Sequence, residues 1–517
     1  MTAAKPPAYP LFGLIAALAG LVGLEVLAFL RAGVFEYPLD DVYIHLAMAS
    51  NIAHGTYGVN AGEAASAASS ILYPFLLVPF PDTEFQRLLP LFWNALAVAG
   101  CGWVWGRIVA EAGLSGKLGT ISAAAGPIYL NMSGVGYTGM EAAPHMLASL
   151  MIVLGLWQVM TGRGVAVWFV AAAIAAPLLR YEGLALALTT AVALALNRER
   201  RAGALIAVGA VGCVVAFSLF LIGLGLDPLP SSVLAKTAGL DPEGGIALRV
   251  VVGVLVNLSK PAGMIMAALL VASLGMFIAF PGLRRGATGW VLAVAWISAA
   301  GHLVLGQIGW MHRYEPYVLA CLVGVLLLAA TAVDGTRRGA MHTIALVAGL
   351  AAGLAYLPTL WGPYGWNTRA IYLQQAQMGR LVQDYLKVPV AVNDLGRVSW
   401  SNPNYVLDIW GLGSAEARKI RFGPVPPAPG WAGPLAAAHA VQAALIYDKW
   451  FASAVGPDWV RVGELRMENP RGALGDWVVA LYATDPAYAP EMRAKLEEFA
   501  PTLPKDAILV LEPEVRV

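Results

Sequence analysis

Charge is what this sequence lacks most. Asp, Glu, Lys and Arg make up 13% of its 517 residues and apolar side chains 58%, against about 25% charged and about 45–50% apolar in an average soluble domain. So few charges cannot cover the surface of a water-soluble protein of this size, which excludes a cytosolic enzyme and a disordered chain. The charges also balance, 33 basic against 32 acidic, so there is no bulk attraction to polyanions and nucleic acid is excluded as a partner. Cysteine is scarce: Cys101, Cys213 and Cys321 each sit in an apolar run without a CxxC neighbour. They read as small core residues, not as a disulfide framework or a zinc site. Also missing are low-complexity segments and the paired, interrupted helices of transporter repeats.

Long apolar runs are present instead. A bilayer crossing needs about 20 mostly apolar residues. Runs occur at 11–30, 88–108, 118–133, 141–161, 164–180, 183–197, 202–225, 260–281, 287–309, 315–333 and 340–358. The first is too long for a secretory signal and lacks a cleavage site, so it reads as an uncleaved span. The expected fold is an α-helical polytopic membrane protein of about 11 transmembrane helices. Residues 1–358 hold 34 charges and 359–517 hold 31, so a membrane domain, 1–358, is expected to precede a soluble α/β domain, 359–517. With a cytoplasmic N-terminus, Lys5 and the cytoplasmic connections would carry 11 basic and 3 acidic residues, and the other face of the membrane part 7 basic and 12 acidic. Basic excess marks the cytoplasmic side. The first loop, 33–87, the segment 226–259 and the C-terminal domain then lie outside, in a periplasm or its equivalent. Ile246–Leu258 could lie flat on the membrane. In the C-terminal domain, Val388–Val392, Ala444–Tyr447, Trp477–Tyr482 and Ile508–Leu511 read as strands, and Ala415–Ile420 and Pro490–Phe499 as helices.

The scarce charges that remain on the outside face are the candidates for chemistry. Asp40 and Asp41 follow the first span, near the membrane surface. Adjacent carboxylates repel, and one of them can act as a general base near neutral pH. His45 lies one turn on from Asp41. The competing reading is that Asp40 or Asp41 caps a helix over 42–53. Paired carboxylates also ligate hard cations, so a divalent cation at Asp40 and Asp41 stays open; no HxxH or HExxH spacing points to a histidine metal site.

The loop runs Asp40-Asp41-Val-Tyr43-Ile44-His45, then Asn51, Gly55, Gly58, Asn60, Gly62-Glu63 and Ser69-Ser70. This string resembles the first periplasmic loop of the GT-C superfamily of membrane glycosyltransferases that use polyprenyl-phosphate sugars, most closely the bacterial arabinofuranosyltransferase-like branch. It departs at His45, near a usual Arg, and at Ser69-Ser70-Ile71 where Thr-Ser-Pro is common. Further resemblances follow in order: Gly139-Met140-Glu141, Arg180-Tyr181-Glu182-Gly183, Leu229-Pro230-Ser231-Ser232 with Lys236-Thr237, His312-Arg313-Tyr314, and Asn393-Asp394-Leu395-Gly396 with Asp408-Ile409-Trp410-Gly411-Leu412.

The resemblance implies an inverting glycosyltransferase of the bacterial inner membrane. A monosaccharide would move from a polyprenyl-phosphate donor to a hydroxyl of a glycan, lipid or protein acceptor, with Asp40 or Asp41 as base. Lys236, Arg313 and Arg180, with His312 and Tyr314, would bind the donor phosphate; snorkelling at helix ends is the bland reading of these cations. His45, Asn51, Asn60, Glu63, Glu141 and Glu182 would contact substrate, although Glu141 and Glu182 could equally pair with Arg180. A transporter or lipid flippase, and a membrane scaffold or sensor with a periplasmic binding domain, are the alternatives.

Overall fold

The computed structural model describes residues 8–238, 245–284, 286–468 and 470–513, with the side chains of 236–238, 245–247 and 249 outside that description. Lys5 and the Lys236 side chain therefore lie outside the described residues. The chain forms two compact units.

The first unit, Met1–Val26, Leu91–Phe217 and Gly244–Trp361, is helical. Every one of the eleven apolar runs is helical, but not every one is long enough to cross a bilayer. Among the described residues seven helices meet that length and composition, and Val167–Leu179, Gly183–Leu196 and Pro316–Ala332 are shorter. A helix of 13 residues rises only about 20 Å, against about 30 Å of bilayer core. The run at 118–133 breaks because its helix, Gly116–Tyr129, is followed by Asn131 in the left-handed region at φ 56°. Against the expected 11 or so spans, the described residues thus hold seven long and three shorter apolar helices, sorted by length and composition. Pro316–Ala329 is buried along its whole length and packs against Ala142–Met160, Gly286–Leu305 and Gly335–Trp361, so it is the bundle's central helix. Gly13 and Gly102 let two helices meet backbone to backbone. A Cβ on either would strike the other's carbonyl, the close approach that small residues permit between apolar helices.

The second unit gathers Leu27–Pro90, Ser218–Glu243 and Gly362–Val517. Its centre is a six-stranded sheet ordered β2-β1-β3-β5-β4-β6, with β1 Val390–Val392, β2 Val406–Asp408, β3 Ala443–Ile446, β4 Val460–Met467, β5 Val478–Ala483 and β6 Ala507–Leu511. β1 pairs in parallel with β2 and β3, and the remaining pairs are antiparallel. Ala391, Leu407, Ala444, Ile446, Phe451 and Trp459 build a core on this sheet. The strand expectations hold, and β2 and β4 join them. In the same unit the first-loop helix Asp41–Ala53, buried from Val42 to Ser50, packs on the short helix Gly396–Ser399. Ser231 N donates to the Ser66 carbonyl (3.0 Å) and Ser232 Oγ to that of Ala68 (3.0 Å), while Arg418 pairs with Asp227. These contacts tie the three chain segments of the unit together.

Candidate active site

In parallel sheets, polar residues just past the strands' carboxyl ends are the usual place for chemistry. Here Asn393 and Asp394 follow β1, Asp408 ends β2, and Tyr447 follows β3. Asn393 Oδ1 accepts from Tyr447 N (2.8 Å), locking two of these ends together. Asp408 is committed to its own turn: its carboxylate accepts from the N–H groups of Trp410 (2.8 Å), Leu412 (2.6 Å) and Gly413 (2.7 Å). Asp394 has a different environment. Its Oδ2 lies 2.9 Å from Gln375 Nε2 and 2.8 Å from the Tyr447 hydroxyl.

Asp40 joins this group. It stands just ahead of the helix Asp41–Ala53, but in an αR conformation and without a side-chain cap bond. Its carboxylate instead accepts from Gly396 N at Oδ2 (2.7 Å) and from Arg397 N at Oδ1 (2.8 Å). The cap reading of Asp40 therefore fails on geometry. Gly396 is required at its position, since a Cβ there would run into the Asp40 carbonyl. Burial is the first cause raising both carboxyls. Asp40, repelled in addition by Asp394 and Asp41, is pushed up to about 8, with the Arg397 and Gly396 amides opposing the shift. Asp394 is raised despite its bonds from Tyr447 and Gln375. Arg397 forms no ion pair with either carboxyl. Arg397 turns to Glu36 (Nε to Oε2 3.9 Å) and lies over the rings of Tyr43 and Trp400, 5.2 Å from each. Among the described residues neither Asp40 nor Asp394 makes an ion pair.

The other first-loop candidates mostly brace the loop. Asn51 Nδ2 donates to the Gly58 carbonyl (3.2 Å). Asn60 pairs with both backbone groups of Val406, Nδ2 to O at 3.0 Å and Oδ1 from N at 2.9 Å, as a neighbouring strand would. Its amide also reaches Glu63 (3.1 Å). His45 is buried, with Nε2 3.2 Å from Ser69 Oγ and its ring edge-on to Tyr73. Asp41 is half-buried beside Asp40. Lys236 lies on the helix Ser231–Ala238.

The helical unit holds a second polar cluster. Glu141, Glu182 and Glu315 each immediately precede a helix, at Ala142, Gly183 and Pro316, where a carboxylate complements the helix dipole. Arg180 bridges two of them, Nη1 to Glu141 (2.8 Å) and Nη2 to Glu182 (2.8 Å), and lies over the Tyr314 ring (4.8 Å). Its charge is thus committed. Arg313 is buried, with Nη2 3.0 Å from the Tyr314 hydroxyl. Glu315 clamps an unusual turn. One oxygen accepts from Gly309 N (3.0 Å) and the other meets His312 Nδ1 (2.6 Å). Between them Trp310, Met311 and His312 all have left-handed φ, of 48°, 62° and 46°, a conformation that costs about 1–2 kcal/mol per residue.

A divalent cation at Asp40 and Asp41 finds a poor fit. Both Asp40 oxygens already accept backbone N–H groups, and among the described residues no three His, Cys, Asp or Glu side chains are arranged to hold an ion. Gln374, Gln375, Tyr447 and Glu315 were not among the sequence candidates. Adjacent glutamines, and a Glu ahead of a helix-starting Pro, were the available signals.

Residues 367–486, under half of the chain, match a family model described as a domain of unknown function (DUF8728). That stretch holds Asp394, Asp408 and Tyr447. No curated protein matches. The crystal structure of the Archaeoglobus fulgidus oligosaccharyltransferase, in complex with Zn and sulfate, is similar at 14% identity and a TM-score of 0.45, over 97% of this chain and 75% of that one. So loose a likeness assigns neither fold nor chemistry.

Proposed function

We propose that this chain is an inverting glycosyltransferase of the GT-C kind. It moves a monosaccharide from a polyprenyl-phosphate donor to an acceptor hydroxyl at the outer face of a bacterial inner membrane. The observation that carries the reading is the Asp40 carboxylate. Two backbone amides fix its direction, Asp394 repels it, among the described residues it makes no ion pair, and burial raises the pair of carboxyls. A general base works best when its pKa lies near the operating pH. The apolar helices suit a donor whose prenyl chain dissolves in lipid.

In the reaction Asp40 accepts the proton of the acceptor hydroxyl. The oxygen forms its bond to the anomeric carbon from the face opposite the phosphate. The bond from that carbon to the phosphate oxygen breaks, and its electron pair leaves with polyprenyl phosphate. The growing phosphate charge calls for a positioned cation. By residue type Lys236, in the same unit as Asp40, is assigned to it.

The test uses the full chain in lipid nanodiscs with a panel of labelled polyprenyl-phosphate monosaccharides. Wild type is expected to release polyprenyl phosphate from one of them, and mass spectrometry of the co-purified lipid selects the sugar to try first. Folded Asp40→Asn and Asp41→Asn variants that both keep full transfer would end the assignment.

A further inference from the structure

The hydrogen bonds around Asp394 can be counted proton by proton. Gln374 Nε2 donates to the Asp476 carbonyl (3.1 Å), which fixes that amide and leaves Gln374 Oε1 facing the Tyr447 hydroxyl at 2.5 Å. The same hydroxyl lies 2.8 Å from Asp394 Oδ2. A phenol carries one proton, and Gln374 Oε1 is the nearer acceptor. Once Tyr447 donates there, its 2.8 Å contact with Asp394 has no hydrogen unless Asp394 supplies one. Gln375 Nε2 lies 2.9 Å from Asp394 Oδ2, 3.0 Å from the Tyr447 oxygen and 3.2 Å from Gln374 Oε1; with two hydrogens for three oxygens, and Gln374 Oε1 the farthest of them, it does not remove the conflict. Asp40 presents the opposite case. Among the described residues the hydrogen bonds to its carboxylate come from donors, Gly396 N on one oxygen and Arg397 N on the other, and donors favour the charged form.

We propose that Asp40 and Asp394 share one proton, that it resides on Asp394 in the chain Asp394–Tyr447–Gln374, and that Asp394 is thereby a positioning residue that leaves Asp40 as the carboxylate. This rests on the glycosyltransferase reading for its role in the reaction, but not for the location of the proton. The groups facing the pair are Asp41 from the first-loop helix, Tyr447 after β3, Gln374 and Gln375, and the amides of Gly396 and Arg397. Tyr447 is raised well above its ordinary value by burial and by both aspartates, so it is a neutral donor. In turnover the acceptor proton goes to Asp40 and from there to water. The Asp394 proton is not consumed; it keeps a second negative charge away from the leaving phosphate.

Infrared spectroscopy of the full chain in lipid, with carbonyl-labelled aspartate, tests the location directly. At neutral pH a protonated aspartic acid band, shifted by the label, is expected in wild type. It should vanish in Asp394→Asn and persist in Asp40→Asn. Asp408, raised to about 6, is mostly ionised at neutral pH and adds little. No such band in wild type overturns the proposal, and needs no variant to fold. So does a band that survives Asp394→Asn and disappears in Asp40→Asn. Transfer activity separates the two readings. Asn at 394 is neutral like the acid, but the atom it sets at the Oδ2 position can either donate to Tyr447 or accept from Gln375, not both, so Asp394→Asn should lower transfer by about tenfold, the worth of one hydrogen bond, and remain active. A dead, folded Asp394→Asn overturns the proposal while the glycosyltransferase assignment stands. Full transfer by Asp40→Asn ends the assignment but leaves the proton where the spectrum places it.

Discussion

Two carboxyl clusters, one in each unit, are handled in opposite ways. In the helical unit Glu141 and Glu182 each sit at a helix start and share Arg180. In the sheet unit Asp40 and Asp394 are close enough to repel, and Arg397, which could have neutralised them, faces Glu36 instead. A compensated cluster spends its charge on structure. An uncompensated one retains a proton equilibrium that a reaction can use. The largest expected effects exchange the two readouts. Arg180→Met strands Glu141, which is fully buried, and should lower stability by about 3–5 kcal/mol in detergent melts. Asp40→Asn should leave the fold standing and cut transfer by about 10²–10⁴-fold, the usual worth of a general base. Equal stability losses in both variants would erase the contrast.

The pH dependence sharpens it further. Burial raises both members of the Asp40–Asp394 pair in the folded chain. The folded state then holds a proton that the unfolded chain releases. The stability this provides is complete below about pH 4 and is lost as pH rises toward about 8. Melting temperature should therefore fall between about pH 5 and about pH 9, and Asp394→Asn should flatten the slope by removing one member of the pair. A melting temperature that rises over this range would contradict the raised carboxyls. Gly396→Ala comes next. Its Cβ would press on the Asp40 carbonyl, and overpacking of this kind costs about 1–3 kcal/mol. Transfer should fall as well, because the amide that aims Asp40 moves with it; a variant with unchanged transfer would detach Gly396 from the site.

Much of this was legible from residue patterns, for reasons that also set the limits. An apolar run advertises a helix because burial or lipid must cover it, so every run is helical. Length is harder to read: Asn131 stops one helix by its local backbone, and Val167–Leu179 is only 13 residues long. β4 escaped notice because Arg461, Glu464 and Arg466 give it the look of an exposed surface, and β2 because it has three residues. Asp40 stood out beside Asp41 as an isolated pair of charges. Its partners did not, since Gly396 lies 356 positions away and contributes only an amide. Backbone donors leave no trace in residue type. The proton chain through Tyr447 likewise depends on which strands end side by side.

Asn60 offers the smallest and most discriminating change. The resemblance made it a sugar contact; in the structure its amide pairs with both backbone groups of Val406 at the edge strand β2. A neutral hydrogen bond contributes about 1 kcal/mol, so Asn60→Ala should lower stability by about 1–2 kcal/mol. It should also leave the Michaelis constant for the acceptor unchanged, because a brace acts on the fold of the free protein and a sugar contact acts on binding. Asn60→Asp separates the two roles again. It keeps the oxygen that accepts from Val406 N but loses the amide that donates to Val406 O and to Glu63. It also sets a second carboxylate near Glu63, so a brace predicts a larger stability loss than Asn60→Ala gives. A variant with wild-type stability and a raised acceptor Michaelis constant would return Asn60 to the substrate side, and with it the view that the first loop, as much as the strand ends, reads the sugar.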